Sequence, residues 1–242
     1  MAVYIIAGIP VEYECRYPLL KARSEKYRAA DGIKADFSLE ITEELLKKKA
    51  ACYKTDNMEY VEYLVTGTEF YKKLLSYEGM MLHSSAVEVD GYAYLFSAPC
   101  GTGKSTHTEM WQRLLGKDKA VIINDDKPAI RKKNGIYCAY GTPFSGKHDI
   151  SVDKGYPIKG ICFIRRSAEN KIHEIDIKTA LVPFFDQTIR PDDEKCMDLL
   201  CERVDDILKS IKFYILDCRA DVDAARVSYN FMKGGGMNEN KA

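Results

Sequence analysis

Ser97-Ala98-Pro99-Cys100-Gly101-Thr102-Gly103-Lys104-Ser105-Thr106 is the stretch on which the reading of this 242-residue chain turns. An apolar run, Tyr92 to Phe96, leads directly into it, and with Ser84 to Val89 and the Asp90-Gly91 pair that run reads as a β-hairpin. From Lys104 onward the pattern becomes helical, with Met110, Trp111, Leu114 and Leu115 on one face and Gly116 at the C′ position. Strand, glycine loop, helix is the setting a phosphate loop needs, because backbone N–H groups at a helix start converge on phosphate oxygens where the helix dipole favours negative charge. At average composition a G-x-G-K-[ST] string arises by chance in roughly one chain in a hundred of this length, so the match is informative. In the full pattern the first glycine falls at Ala98, which Pro99 biases toward an extended conformation. The nucleotide-contacting set is therefore Cys100, Gly101, Thr102, Gly103, Lys104, Ser105 and Thr106. Lys104 would reach the β and γ phosphates, and the Ser105 hydroxyl would ligate magnesium.

The next apolar run, Ala120 to Ile123, is of the buried-strand type and ends in Asn124-Asp125-Asp126. Carboxylates at the carboxyl end of a strand stand where open α/β sheets place their active sites. Successive strand side chains face opposite ways, so one aspartate can hold magnesium while the other accepts a proton from an attacking hydroxyl.

Around this centre the chain reads as strands and helices in mixed order. Residues 3–15 suggest one or two strands, 37–41 a short strand, and Thr42 an N-cap for a helix that begins Glu43-Glu44. A second helix is expected from about Met58 to Tyr77, weakened by Gly67 and ended by Gly79. A second hairpin turns at Asn134-Gly135, and strands are expected at 158–164, 171–176 and 213–217. Helices are expected at 178–188, at 193–211, and after Asp221 as cap. The organisation predicted is an N-terminal α+β layer over 1–79, serving as scaffold or partner-binding surface. A nucleotide-binding domain spans 80–232, and a flexible tail 233–242.

Thirty-six Lys plus Arg balance 36 Asp plus Glu, which argues against a dedicated nucleic-acid binder. The neutrality is uneven: Lys104 to Asp149 holds nine basic and five acidic residues, a local field suited to a small polyanion. No apolar run approaches a bilayer span and no basic-then-apolar leader opens the chain, so a cytoplasmic location without membrane contact is expected. Eight cysteines, scattered and without a C-x-x-C, are expected as reduced, mostly buried thiols rather than as zinc ligands. Lys147, in the Gly141-Thr142-Pro143-Phe144-Ser145-Gly146-Lys147 loop, is a candidate clamp for substrate or the γ phosphate. Arg165 and Arg166 end a strand; Arg165 is the candidate bidentate phosphate ligand, against a surface ion pair. His107 shares the face of Met110 and Trp111 and is read as packing or cap.

His83-Ser84-Ser85-Ala86-Val87, the hairpin, Gly101 to Thr106 and Asn124-Asp125-Asp126-Lys127-Pro128-Ala129-Ile130 together resemble the catalytic domain of HPr kinase/phosphorylases. That domain shares its nucleotide-binding fold with phosphoenolpyruvate carboxykinases. The resemblance is specific over 83–131, looser as far as Val227, and absent from 1–79. It implies an α/β fold with a mixed sheet and a P-loop kinase using ATP and Mg2+. By residue match it gives Lys104 and Ser105 the phosphates and metal, Asp125 the role of base, Asp126 that of metal partner, and His83 a place in the catalytic site. The family's downstream signature for docking HPr is not found, so the acceptor is a protein, peptide or small-molecule hydroxyl. A Ser or Thr of a protein or peptide follows from the resemblance. A non-catalytic ATP-binding regulator, a small-molecule kinase and a simple NTPase are the competing readings, and self-association is compatible with each.

Overall fold

A computed structural model describes residues 1–234. The chain opens with β1 (Ala2–Ile6) and β2 (Ile9–Tyr13), which pair antiparallel, followed by α1 (Pro18–Ser24), a 3-10 turn, and β3 (Phe37–Ser38) beside β2. Two helices follow, α2 (Glu43–Tyr53) and α3 (Met58–Leu74). Thr42 caps α2 as expected, its side chain accepting from the Leu45 N–H. The first core lies between these helices and the three strands, with Tyr13, Leu20, Leu46 and Phe70 among its buried members.

The remaining strands are β4 (Gly79–Met81), β5 (Ser84–Val89), β6 (Tyr92–Ser97), β7 (Val121–Asn124), β8 (Ala129–Lys133), β9 (Ile136–Tyr140), β10 (Gly155–Arg166), β11 (Lys171–Ile175) and β12 (Phe213–Cys218). They form one curled mixed sheet whose long path runs β4-β8-β9-β10-β6-β5-β7, with β12 beside β10 and β11 beside β12. β10 carries the curl. Its first residues pair antiparallel with β9, and beyond an irregularity between Ile158 and Gly160 it lies parallel to β6 and β12. On one face, α5 (Ile177–Phe185) and α6 (Glu194–Ser210) cover a core containing Leu95, Phe163, Phe184 and Ile207. On the other, α4 (Lys104–Leu115) and α7 (Val222–Gly234) cover Phe96, Trp111, Cys162 and Leu216. The α/β class with a mixed sheet is as expected.

Because β5 is antiparallel to both β6 and β7, and β10 and β12 run parallel to β6, four strands end at one edge of the sheet. That edge receives the glycine loop, the Asp125-Asp126 pair and the Arg165-Arg166 pair. Both hairpins form where the Asp-Gly and Asn-Gly pairs predict, each turn residue having positive φ.

Several elements differ from expectation. The strand expected at 37–41 keeps only Phe37–Ser38. α1 was not anticipated: Pro18 starts it, and the buried carboxylate of Glu62, 45 positions away, receives the Arg16 and Tyr17 N–H groups at its entrance. The helical stretch does reach Tyr77, α3 passing into a 3-10 turn over Leu75–Tyr77, but the left-handed residue that ends it is Glu78, and Gly79 opens β4. β10 starts three residues early, at Gly155, because β9 supplies a partner there. Of the tail expected at 233–242, Lys233 and Gly234 belong to α7, and 235–242 lie outside the described residues. The eight cysteines are unpaired, but only Cys162 and Cys218 are buried, and Cys52, Cys100 and Cys201 are exposed.

Gly67, which sequence marks as a weak point in α3, is required by packing. A Cβ there would stand 2.9 Å from the ring of Phe144, which inserts among Tyr63, Phe70 and Tyr71. Gly67→Ala should therefore destabilise by about 1–3 kcal/mol despite alanine's better helix propensity. Phe144→Leu in the same chain should recover part of that loss, measured by urea denaturation.

His107 packs edge-on against Phe96, its Nε2 2.9 Å from Ser228 Oγ and accepting from Trp111 Nε1. Burial lowers its pKa from 6.5 to about 3. A folded-state pKa below the unfolded one gives stability that is complete above 6.5 and lost as pH falls toward 3. About 2 kcal/mol should be gone by pH 5, and His107→Gln should remove that dependence from the unfolding profile.

Candidate functional site

Five helices, α2, α3, α5, α6 and α7, begin with a side-chain oxygen accepting a first-turn N–H. α4 does not: its N-cap is Gly103, with no side-chain cap, so its first-turn N–H groups are left to a ligand or solvent. Gly101 and Gly103 both hold positive φ, 77° and 123°, which bends the loop out of β6 and back onto the helix start. The Lys104 ammonium donates to Ala98 O at 2.9 Å, and burial lowers its pKa, with the charge of Asp126 opposing that. Arg166 donates to the carbonyls of Gly101 and Thr102, bracing the loop from outside.

Across an open cavity of about 600 Å³ stands the turn after β7. Asn124 is fully buried, and its side-chain oxygen accepts from the N–H groups of Asp126 and Lys127 at 3.0 and 2.8 Å, which fixes that turn. Asp125 is almost fully buried and its Oδ1 accepts from Gly146 N–H at 2.5 Å. Burial raises its proton affinity, the Gly146 bond opposes this, and the neighbouring Asp126 charge adds to it. Burial acts the same way on Asp126, but the His83 contact at 3.2 Å and the Lys127 ammonium on its other oxygen outweigh it and hold its pKa at about 2. His83 in turn contacts Gln187 at 2.9 Å through Nδ1. Ser105 Oγ donates to Asp125 O at 3.3 Å, tying the helix start to the same turn.

Of the residues singled out in the sequence, His83, Cys100, Gly101, Gly103, Lys104, Ser105, Thr106, Asp125, Asp126 and Lys147 line this one cavity. Thr102 lines a second cavity of about 360 Å³ on the far side of the loop, with Arg166 and Arg219. Arg165 is not brought to the site. It forms a bidentate pair with Asp217 at 2.8 and 2.7 Å, and strand alternation gives the loop to Arg166 instead.

Sequence reading missed the cavity's other wall, which comes from α1 and α3. Arg23 donates to Ser145 O and Gly146 O at 2.9 and 3.0 Å, Tyr63 OH donates to Ser145 O at 2.5 Å, and the Arg23 guanidinium lies 4.7 Å above the Tyr63 ring. This clamp sets Gly146 against Asp125 so closely that a Cβ on Gly146 would be 2.8 Å from the carboxylate. Only the loop chemistry of 141–147 signalled any of it. Among the described residues no group of three or more His, Cys, Asp or Glu gathers as a metal cage. Magnesium normally takes one or two carboxylates and completes its shell with water and phosphate oxygens, so the hydroxyl of Ser105 and the ionised carboxylate of Asp126 suit it. Among the same residues no helix is long and apolar enough to cross a membrane.

Fold and site together define a mixed α/β protein with a glycine loop, at an uncapped helix start, facing paired carboxylates. A model of the family described as SynChlorMet cassette protein ScmC matches residues 50–189, more than half of the sequence, and the chain belongs to that family. The motifs suggested HPr kinase/phosphorylases instead. Toward those there is a structural likeness only: the Hpr(Ser) kinase/phosphatase from Coxiella burnetii aligns at 9% identity with a TM-score of 0.39, over 65% of this chain and 99% of that one. No curated protein matches.

The clamp gives a stability test. Arg23→Met leaves the buried Ser145 carbonyl one donor short and should cost about 2–4 kcal/mol in denaturant unfolding. Arg23→Lys should recover only part, since an ammonium does not span both carbonyls as a guanidinium does.

Proposed function

We propose that the chain is an ATP-dependent kinase that transfers the γ-phosphoryl group to a hydroxyl, most simply that of a Ser or Thr in a protein or peptide. The observation that carries this reading is the pairing, across one cavity, of the uncapped α4 start and Lys104 with two adjacent aspartates of opposed proton affinity. A sensor that only binds nucleotide has no use for a carboxylate whose affinity for a proton is raised beside one that stays ionised.

In this reading the first-turn N–H groups of α4 and the Lys104 ammonium cradle the phosphates, and Lys104 leaves Ala98 O to do so. Asp125, with Oδ1 fixed by Gly146, offers its second oxygen to the acceptor hydroxyl. The bond from the acceptor oxygen to the γ phosphorus forms as the bridging β–γ bond breaks. Its electron pair leaves with ADP, and the acceptor's proton passes to Asp125. Ser105 and Asp126 would hold Mg2+, which when bound supplies neutralisation of phosphate charge. His83 orients Asp126 through the 3.2 Å contact.

Purified protein mixed with γ-labelled ATP, Mg2+ and a cell lysate should label an acceptor. Asp125→Asn should lower that transfer by about 10²–10⁴-fold with ATP binding kept, and Lys104→Ala should lose both. Gly146→Ala, which presses a methyl group on Asp125, should lower transfer in the same direction. Tight ATP binding without transfer or hydrolysis would sink the kinase reading, as would phosphate release at an undiminished rate with no acceptor present.

A further inference from the structure

The large cavity has two chemically different walls. The glycine loop N–H groups, Lys104 and Ser105 lie on one, while Lys127, Lys147 and His148 add basic groups to the lining from the turn after β7 and from the loop after β9. The other is built by Leu19 of α1 and by Tyr60 and Tyr63 of α3, with Asp125 at the seam, bonded to Gly146. Arg23, the one cation this layer contributes to the lining, is not open to an anion. Its two terminal nitrogens are engaged by Ser145 O and Gly146 O, and it stacks on Tyr63. Tyr63 is buried and its hydroxyl is engaged, but Tyr60 is 49% exposed at the cavity mouth, its ring nearly parallel to that of Tyr63 with centroids 6.1 Å apart. The part of the second wall that α1 and α3 build therefore presents aromatic and aliphatic surface beside Asp125, with the Lys127 ammonium 5.9 Å from the centroid of the Tyr63 ring.

We propose that Leu19 and Tyr60 form the acceptor-recognition wall, and that the acceptor is a peptide segment in which an aromatic or aliphatic residue flanks the phosphorylated Ser or Thr. This rests on the kinase reading above and gives the layer of residues 1–79 a share in the site. A small polyhydroxy metabolite is normally held by convergent polar groups in a closed pocket that buries most of its surface. Here the surface that Leu19 and Tyr60 offer is apolar, and half of Tyr60 faces solvent, an arrangement suited to a side chain carried on a strand of peptide passing across the mouth. With the donor phosphates on the α4 side, a hydroxyl held by this wall arrives beside Asp125 from the opposite direction, as in-line transfer requires.

The test uses the full chain with Mg2+, γ-labelled ATP and peptide pools that share a central Ser or Thr and have one flanking position fixed as Phe, Leu, Asp or Lys. Phe and Leu pools should be labelled roughly tenfold faster than Asp and Lys pools. With a preferred peptide, Tyr60→Ala and Leu19→Ala should each raise the acceptor KM roughly five- to tenfold while the ATP KM stays within about twofold, and Tyr60→Phe should behave as the parent. Equal labelling of all pools, or an acceptor KM unmoved by both alanine variants, overturns the wall and leaves the kinase reading standing. So does transfer to a small hydroxyl compound with none to peptides. Nucleotide binding without transfer to any acceptor overturns the kinase reading and this assignment with it.

Discussion

A single phenyl ring, that of Phe144, holds the site together. It is fully buried in the first core, among Tyr63, Phe70 and Tyr71, yet it belongs to a loop that starts and ends in the large sheet. Burying such a ring is worth roughly 1.5–3 kcal/mol, enough to pin a loop that has no regular structure of its own. The two residues after it, Ser145 and Gly146, are thereby delivered to Arg23 and Tyr63, and Gly146 to Asp125. The position of one carboxylate is thus set by hydrophobic packing on the far side of a loop, and hydrogen bonds refine what the packing has already placed.

Electrostatics divides the aspartate pair along the same line. Both carboxylates lose solvent, and in a low-dielectric setting an ionised group needs a partner. Asp126 has two cationic or hydrogen-bonding neighbours in Lys127 and His83, whereas Asp125 has one backbone N–H and a like charge beside it. Adjacent residues of identical type thus acquire different chemistry because the turn after β7, fixed by Asn124, sets one beside Gly146 and the other beside His83 and Lys127, and the strand alternation expected from sequence does not reach them.

What sequence disclosed was what depends on neighbours in the chain. The two hairpins, the caps at Thr42 and Asp221, and the strand-loop-helix around Gly101 and Gly103 are all local chemistry and form as read. The wall from α1 and α3 was illegible because its contacts span the chain: Arg23 meets Ser145 across 122 positions, and nothing in a seven-residue helix starting at Pro18 announces a buried guanidinium. Arg165 and Arg166 show a different limit. A strand's period of two makes one of them face the loop, but the phase depends on register with β12, where Arg165 pairs with Asp217. Gly67 and Gly146 read as ordinary breaks in pattern, since the close approach each permits is made by a residue far away in sequence.

The Phe144 contact also orders events in time. Residues 1–79 leave the ribosome well before residue 144 is made, so until then the first core contains an open socket at Gly67, Phe70 and Tyr71. The layer lacks that ring until the chain has extended through β9 and the loop beyond it. By then Asp125, Lys104 and the glycine loop have all been synthesised. The same insertion that closes the socket brings Gly146 to Asp125, so a chain that stops short of residue 144 has neither the filled core nor the backbone bond that holds the carboxylate.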